Sequence, residues 1–252
     1  MNQAIDFGYP WWIDYGHLPV AAIALLLLFA GMRFRWPKLA LAVAALAAVW
    51  TLAAFAVSRF VLNINGLATL PTERFLTSGS GRVLDLGAGT GRSSIMVLQA
   101  RPRTTLVALD LFGKSYKEHF GSTQTAQQKL MSNLKAAGVA ERASIQQADM
   151  TQPPFDSASF DAIVSSYAVD HLSRADIQKT LHEASRVLKP GGEFLLSVIA
   201  KDPWLNFAFG PMLMHSGFRG AQWWTGQLAD SGFEVVESGK RPGTLYLLAR
   251  KR

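Results

Sequence analysis

Val83-Leu-Asp-Leu-Gly-Ala-Gly-Thr-Gly91 is the stretch on which the reading of this chain turns. A short apolar run ends in three glycines, and Arg92 to Ala100 beyond it has helical character, so the segment reads as a buried strand, a tight turn and a helix. Glycines at that turn let the backbone bend sharply and come close to a ligand. The spacing is Gly-x-Gly-x-Gly behind an acid, whereas the dinucleotide fingerprint is Gly-x-Gly-x-x-Gly. Asp85 suits an ammonium group better than a phosphate. Nineteen residues after Gly91, Asp110 closes a second apolar run, Thr104 to Asp110. A carboxylate at the end of that strand can accept both hydroxyls of a ribose.

The rest of the carboxy-terminal part alternates in the same way. Strands are expected at Ala143–Ala148, Phe160–Ser166, Glu193–Ala200, Phe233–Glu237 and Thr244–Ala249. Helices are expected at Ser122–Ala137, Ser173–Leu188 and Trp223–Asp230. Ser173 and Asp176 have capping-box spacing, with Asp in place of the usual Glu. This alternation implies an α/β fold, a doubly wound and mostly parallel sheet with helices on both faces.

The amino-terminal part is a different material. Residues 1–66 hold 6 of the 43 charged side chains, and residues 67–252 hold the other 37 with a net charge of +5. Uncharged runs at about 15–32 and 39–58 are as long as the hydrocarbon core of a bilayer is thick. Arg33, Arg35 and Lys38 lie between them with Trp36, while Trp11, Trp12 and Tyr15 are placed for the opposite interface. The division expected is a two-helix transmembrane anchor over 1–66 and a catalytic domain over 67–252. A signal peptide and a buried helical pair of a soluble protein are the other readings. No Lys or Arg precedes Arg33, which argues against the first. The second run is apolar on every side, which argues against the second. The charge count leans toward a cytoplasmic loop between the helices, but a cytosolic cofactor requires the reverse. The expected location is therefore a multi-pass protein of the bacterial inner membrane, catalytic domain facing the cytoplasm.

The chain contains no cysteine. That excludes disulfides, a thiolate nucleophile, zinc–thiolate sites and iron–sulfur clusters; no metal site is read. The cations of the carboxy-terminal part are scattered, so nucleic acid is not an expected partner.

Taken in order, Val83–Gly91, Val107-Ala-Leu-Asp110, Ala148-Asp-Met150, Phe160–Val164 and Leu188-Lys-Pro-Gly-Gly-Glu-Phe194 resemble the successive motifs of class I S-adenosylmethionine-dependent methyltransferases. The resemblance covers roughly residues 70–250 and implies a seven-stranded sheet with an antiparallel last strand. It implies S-adenosyl-L-methionine as cofactor, with Gly87, Ala88, Gly89 and Gly91 around the methionine portion and Asp85 near its ammonium. It places Asp110 on the ribose, Leu111 and Met150 beside the adenine, Asp149 on the adenine amino group, and Ser165 and Ser166 toward the transferred methyl. Asp170 and His171 stand where this family often has a base near the acceptor, with Tyr167 as a pocket wall; helix capping or packing is the competing role for His171.

Cytosine-carbon methylation needs a Cys, and amino methylation of bases usually shows Asn/Asp-Pro-Pro-Tyr/Phe where this chain has Ser165-Ser-Tyr-Ala168. Two long segments, Phe112–Thr125 and Lys201–Trp224, are expected near the acceptor. The first holds Lys114, Tyr116, Lys117, Glu118 and His119, and the second is unusually apolar, with Trp204, Phe207, Met212 and His215 among its residues. With the anchor, they suggest a small lipophilic acceptor: a quinone, isoprenoid, phospholipid, thiol or amine. A non-catalytic, membrane-tethered cofactor-binding scaffold and a nicotinamide-dependent reductase are the alternatives.

Overall fold

Each expected strand forms, because runs such as Val83-Leu-Asp-Leu86 and Ala162-Ile-Val164 can be buried only between two helical layers. The computed structural model describes residues 4–113, 125–210 and 218–252. The strands are β1 (Ser80–Leu86), β2 (Arg103–Asp110), β3 (Ala143–Gln147), β4 (Phe160–Ser166), β5 (Leu188–Ile199), β6 (Phe233–Arg241) and β7 (Thr244–Lys251). They form one sheet in the order β3-β2-β1-β4-β5-β7-β6. The first five strands of that order pair in parallel, and β7 pairs antiparallel with both β5 and β6. The sheet is therefore mixed, where a mostly parallel one was expected. The hairpin β6–β7 inserts its second strand beside β5 and reverses the direction there.

Val83, Leu84, Leu86, Ile163, Val164, Leu195 and Leu196 are fully buried, as a doubly covered sheet requires. Four helices accompany the strands: α4 (Arg92–Ala100), α5 (Ala126–Ala136), α6 (Arg174–Val187) and α8 (Ala221–Asp230). The expected helix at 122–137 begins at Ala126, capped by a Thr125–Gln128 capping box; residues 122–124 lie outside the described part. At α6 the Ser173 side chain accepts from Asp176 N, as its spacing predicts. The Asp176 carboxylate does not reach back to the Ser173 backbone; it takes the Ser173 hydroxyl instead, at 2.7 Å. Lys189-Pro-Gly-Gly192 is part of β5 and not a turn before it, because Leu188 already pairs with Phe160 and an irregularity absorbs the difference before Ala162.

The described chain divides into two compact units. One contains the sheet, its helices and residues up to Gly8; the other contains Tyr9–Gly66 and the segment from Lys201. Two short pieces thus lie across the division expected at residue 66.

In the second unit, α1 (Trp11–Tyr15) is separated by Gly16 from α2 (His17–Arg33), and α3 (Lys38–Ala56) continues as a π-helical turn over Val57–Leu62. The first apolar run is therefore interrupted, and α2 has only 17 residues. Among the described residues one helix, Lys38–Leu62, is long and apolar enough to cross a membrane, and the transmembrane hairpin is not established. The short helix α7 (Pro203–Phe209), capped by Asp202, packs in this unit: the His17 ring nitrogen Nε2 lies 3.0 Å from Ala208 O, and the Phe207 ring meets Trp50.

Candidate cofactor and acceptor site

The strand order reverses between β1 and β4, so the carboxy ends of these strands leave a crevice between connections that run opposite ways. Asp85 stands one residue before the end of β1 and is fully buried. Its Oδ2 accepts from the hydroxyls of Ser93 (2.7 Å) and Ser94 (2.6 Å), which open α4. Its Oδ1 is buried and has no hydrogen-bond partner among the described residues. Burial pushes the carboxyl up to about 6, the negative charge of Asp110 adds to this, and the two serine hydroxyls and the Ser94 backbone N–H act against it.

The loop after β1 is fixed from below by Gly87 N and Ala88 N, which both donate to Leu109 O. Gly87 and Gly91 have φ of 78° and 94°, conformations that an L side chain resists. A Cβ on Gly91 would strike Leu130 Cδ1, and one on Gly87 would strike Ala168 and crowd Met150 Cε. Asp110 bends back over the loop: Oδ2 accepts from Gly89 N at 2.9 Å and Oδ1 from Phe112 N at 2.8 Å. A carboxylate has about four acceptor sites, so two remain for a ligand.

Leu111, beyond Asp110, is 58 % exposed, an apolar surface that the fold itself leaves open. Asp149 is exposed, and its Oδ1 accepts from Thr151 N at 2.8 Å. Met150 reaches the loop at Gly87, but no hydrogen bond ties Asp149 to it. Of the two serines ending β4, Ser165 is fully buried and its hydroxyl donates to Leu86 O at 2.7 Å. That hydroxyl serves the sheet, which leaves Ser166, half-buried, as the member of the pair open to a ligand.

Past β4 the backbone is unusual. Tyr167 has a φ of 54°, costly for an aromatic residue, and is held by Tyr167 N donating to Ser197 O and by a 2.6 Å bond between its hydroxyl and Thr244 Oγ1. Val169–His171 follow as a 3₁₀ turn. Asp170 Oδ2 accepts from Ile199 N at 3.0 Å, and Oδ1 is buried with no partner among the described residues. Burial raises the Asp170 pKa, opposed by the Ile199 N–H and by the nearby His171 and Arg219. His171 itself is exposed. The Arg219 guanidinium lies 4.6 Å from the Trp223 ring centroid.

The structure thus joins Asp85, Gly87, Ala88, Gly89, Gly91, Asp110 and Met150 through direct contacts around one loop. It groups Tyr167, Asp170 and His171 on the adjoining one. Lys114, Tyr116, Lys117, Glu118, His119, Met212 and His215 lie outside the described residues, and Trp204 and Phe207 fall in the other compact unit. Ser93, Ser94, Arg219 and Thr244 are additions. A pair of serines opening the helix after a glycine loop is the only one of these with a local sequence signal, since their spacing points them back at the acid of the preceding strand.

Residues 83–192 match the family described as a methyltransferase domain. A ubiquinone/menaquinone biosynthesis C-methyltransferase UbiE of Brucella anthropi is 32% identical over 158 residues, 62% of this chain and 55% of that protein. A demethylmenaquinone methyltransferase of Clavibacter sepedonicus is 33% identical over 122 residues, 48% of this chain and 42% of that one. The chain therefore spans about half the length of the curated relatives it matches. Among solved structures, the 1,6-didemethyltoxoflavin-N1-methyltransferase of Burkholderia thailandensis, with S-adenosylhomocysteine bound, shares the fold. Its TM-score is 0.50 at 19% identity, over 68% of this chain and 71% of that one. The glycine loop, Asp110, Asp149 and the Tyr167–His171 turn all lie inside the stretch that matches a methyltransferase domain.

Proposed function

We propose that this chain is a membrane-held S-adenosylmethionine-dependent methyltransferase that acts on a small lipophilic acceptor, with a ring carbon of a quinol as the leading candidate. The observation that carries the cofactor assignment is the buried, unpartnered Oδ1 of Asp85 beside the glycine loop. A buried carboxylate oxygen without a donor is costly, and a ligand ammonium supplies both the charge and the hydrogen bond. Asp85 would hold that ammonium, the loop Gly87–Gly91 the methionine portion, and the free lone pairs of Asp110 the ribose hydroxyls. Leu111 and Met150 would cover the adenine, with Asp149 at its amino group. When bound, the cofactor supplies a methyl on a sulfonium, open to in-line displacement.

The chain's own contribution is alignment, exclusion of water and handling of one proton. Asp170 is built for the last task. Its Oδ2 is anchored, its Oδ1 is free, and its raised pKa brings it closer to the pH at which a general base works well. It would take the hydroxyl proton of the acceptor, so that the ring carbon beside that oxygen could take up the methyl as the methyl–sulfur bond breaks, and would return the proton to the oxygen as that carbon loses its own proton to solvent. His171 would orient the hydroxyl and Tyr167 would wall the ring. The named activities of the similar UbiE and demethylmenaquinone methyltransferases favour a quinol over the other lipophilic acceptors.

Membrane attachment is supported by how α2 and α3 pack. The residues they bury are small, Ala21, Ala24 and Gly31 on one and Ala48, Thr51 and Ala54 on the other. Their large side chains point outward: Leu26 and Phe29 are each 67 % exposed and Leu46 69 %. A water-soluble helix pair would bury the large residues and expose the small ones; close packing on small residues is the pattern of helices in lipid. The catalytic unit would face the cytoplasm, where the cofactor is made.

Full-length protein in lipid nanodiscs, given methyl-labelled cofactor and either total bacterial lipid or demethylmenaquinol, should transfer label to the quinone fraction. Binding of the cofactor with no transfer to any lipid fraction would leave a scaffold and refute the enzyme. Because the chain has no cysteine, single cysteines at Arg35 and Ser238 can be labelled in intact cells by an impermeant maleimide. Labelling at position 238 would refute the cytoplasmic placement.

A further inference from the structure

Residues Asp6 to Gly8 precede the helical unit in sequence but are fastened to the glycine loop. Thr90 Oγ1 donates to Phe7 O at 2.9 Å, and Phe7 is only 2 % exposed. Asn133, in α5, ties the two together. Its Nδ2 donates to Thr90 O and to Asp6 O, both at 2.9 Å, and its Oδ1 accepts from Asp6 N at 3.0 Å. Lys129, one turn earlier on the same helix, reaches Asp6 Oδ2 at 2.6 Å, and Gly8 N closes on Asp6 Oδ1. Between these two residues Leu130 presses on Gly91.

A loop with glycines at 87, 89 and 91 has more conformational freedom to lose than one built of other residues. Leu109 O and Asp110 hold its first half and Gly91 N closes on Ala88 O, but the path at Thr90 is left to contacts from elsewhere, and a ligand that had to order it would bind more weakly. Asn133 uses a buried amide on backbone atoms of the loop and of the strap, not on other side chains. Its bonds therefore fix the path of the chain at Thr90 whatever the neighbouring side chains do.

We propose that Asn133 is a positioning residue for the cofactor loop, and that Asp6–Phe7–Gly8 is a strap through which it holds Thr90 and the adjoining glycines in their binding shape. The inference rests on the cofactor assignment made above. It separates Asn133 from the residues that would touch the cofactor, because its side chain ends on backbone atoms of Thr90 and Asp6.

The test uses the full chain, titrated calorimetrically with S-adenosylmethionine, and follows amide hydrogen exchange across residues 87–91. Asn133→Ala and the isosteric Thr90→Val should each weaken cofactor binding about tenfold, the worth of one to two hydrogen bonds. Exchange in the loop should quicken while β4 and β5 keep their protection, and the KM for acceptor should stay unchanged. Thr90→Ser, which keeps the hydroxyl, should restore affinity. Variants that bind within twofold of the parent overturn the proposal, as does a loss of affinity that Thr90→Ser fails to recover or that comes with faster exchange across the whole sheet. A parent protein that does not bind the cofactor removes the assignment beneath it as well, an outcome distinct from normal parent binding with unaffected variants.

Discussion

Asp85 makes cofactor affinity depend on pH in a way that can be worked from its surroundings. Burial, reinforced by Asp110, lifts its carboxyl from 3.8 to about 6 in the cofactor-free protein. The folded pKa thus lies above the unfolded one, so protonation favours the fold. The contribution, about 3 kcal/mol, is fully present below about pH 4 and is lost by neutrality as pH rises through about 6. A cationic ammonium at Oδ1 reverses the preference and requires the ionised form. Below about pH 6 each binding event must therefore expel a proton, and affinity should fall about tenfold per unit as pH drops further. Between pH 7 and pH 5 the expected loss is about tenfold, and affinity also declines from about pH 8 upward as the ligand's own ammonium loses its proton. Titration calorimetry at pH 5, 6, 7 and 8, in two buffers of different ionisation enthalpy, measures both the affinity and the proton count. Asp85→Asn should bind more weakly at neutral pH and show a flat profile. 5′-Methylthioadenosine, which lacks the ammonium, should show little pH dependence even with the parent. A flat profile in the parent, or the same slope in Asp85→Asn, would refute the assignment.

Asp170→Asn should lower kcat about 10²- to 10⁴-fold at pH 7 with little change in cofactor affinity, as steady-state kinetics with labelled cofactor would show. Thr125→Ala removes one half of the capping box that starts α5 and should cost about 1 kcal/mol in denaturant unfolding. Leu84→Ala opens a cavity at a fully buried central position and should cost about 2–5 kcal/mol in the same measurement. Ala48→Phe, on the buried side of α3, should disturb the α2–α3 pair more than Leu46→Phe on its exposed side, read by the melting of the helical signal in detergent.

The glycine loop and the strand-end acids were legible in the sequence because their requirements are local. The positive φ at Gly87 and Gly91 favours glycine there, and Asp110 ends its own strand. Strand boundaries were less legible. Pro190, Gly191 and Gly192 look like a turn, and only the pairing of Leu188 with Phe160 shows that they extend an edge of β5. The Tyr167 hydroxyl's partner, Thr244, lies 77 residues away, and the Asn133–Asp6 bonds span 127. Contacts of that separation leave no periodicity to read. The apolar runs were legible in length and composition, but the break at Gly16 was not, since Tyr15, Gly16 and His17 carry no strong stop signal. Ser165 illustrates a further limit: position at a strand end did not show that its hydroxyl turns back to Leu86.

The chain passes from the sheet-containing unit to the helical one after Gly8, returns at Leu67, and leaves again after Ala200. An anchor joined at one point can be shed by one proteolytic cut. Here a nick between Gly8 and Tyr9 leaves residues 9–66 covalently attached through residue 66, and only a second nick there frees them, while the segment from Lys201 stays in one chain with the sheet. Cleavage at position 66 alone also keeps Asp6 and Phe7 on the helical side of the break, joined to the glycine loop only by noncovalent bonds. Loss of the helices after that single cut would therefore carry Asp6 and Phe7 away from Thr90 and Asn133. Removal of residues 9–66 with the flanks rejoined would instead keep the Asp6–Gly8 segment in one chain with the glycine loop.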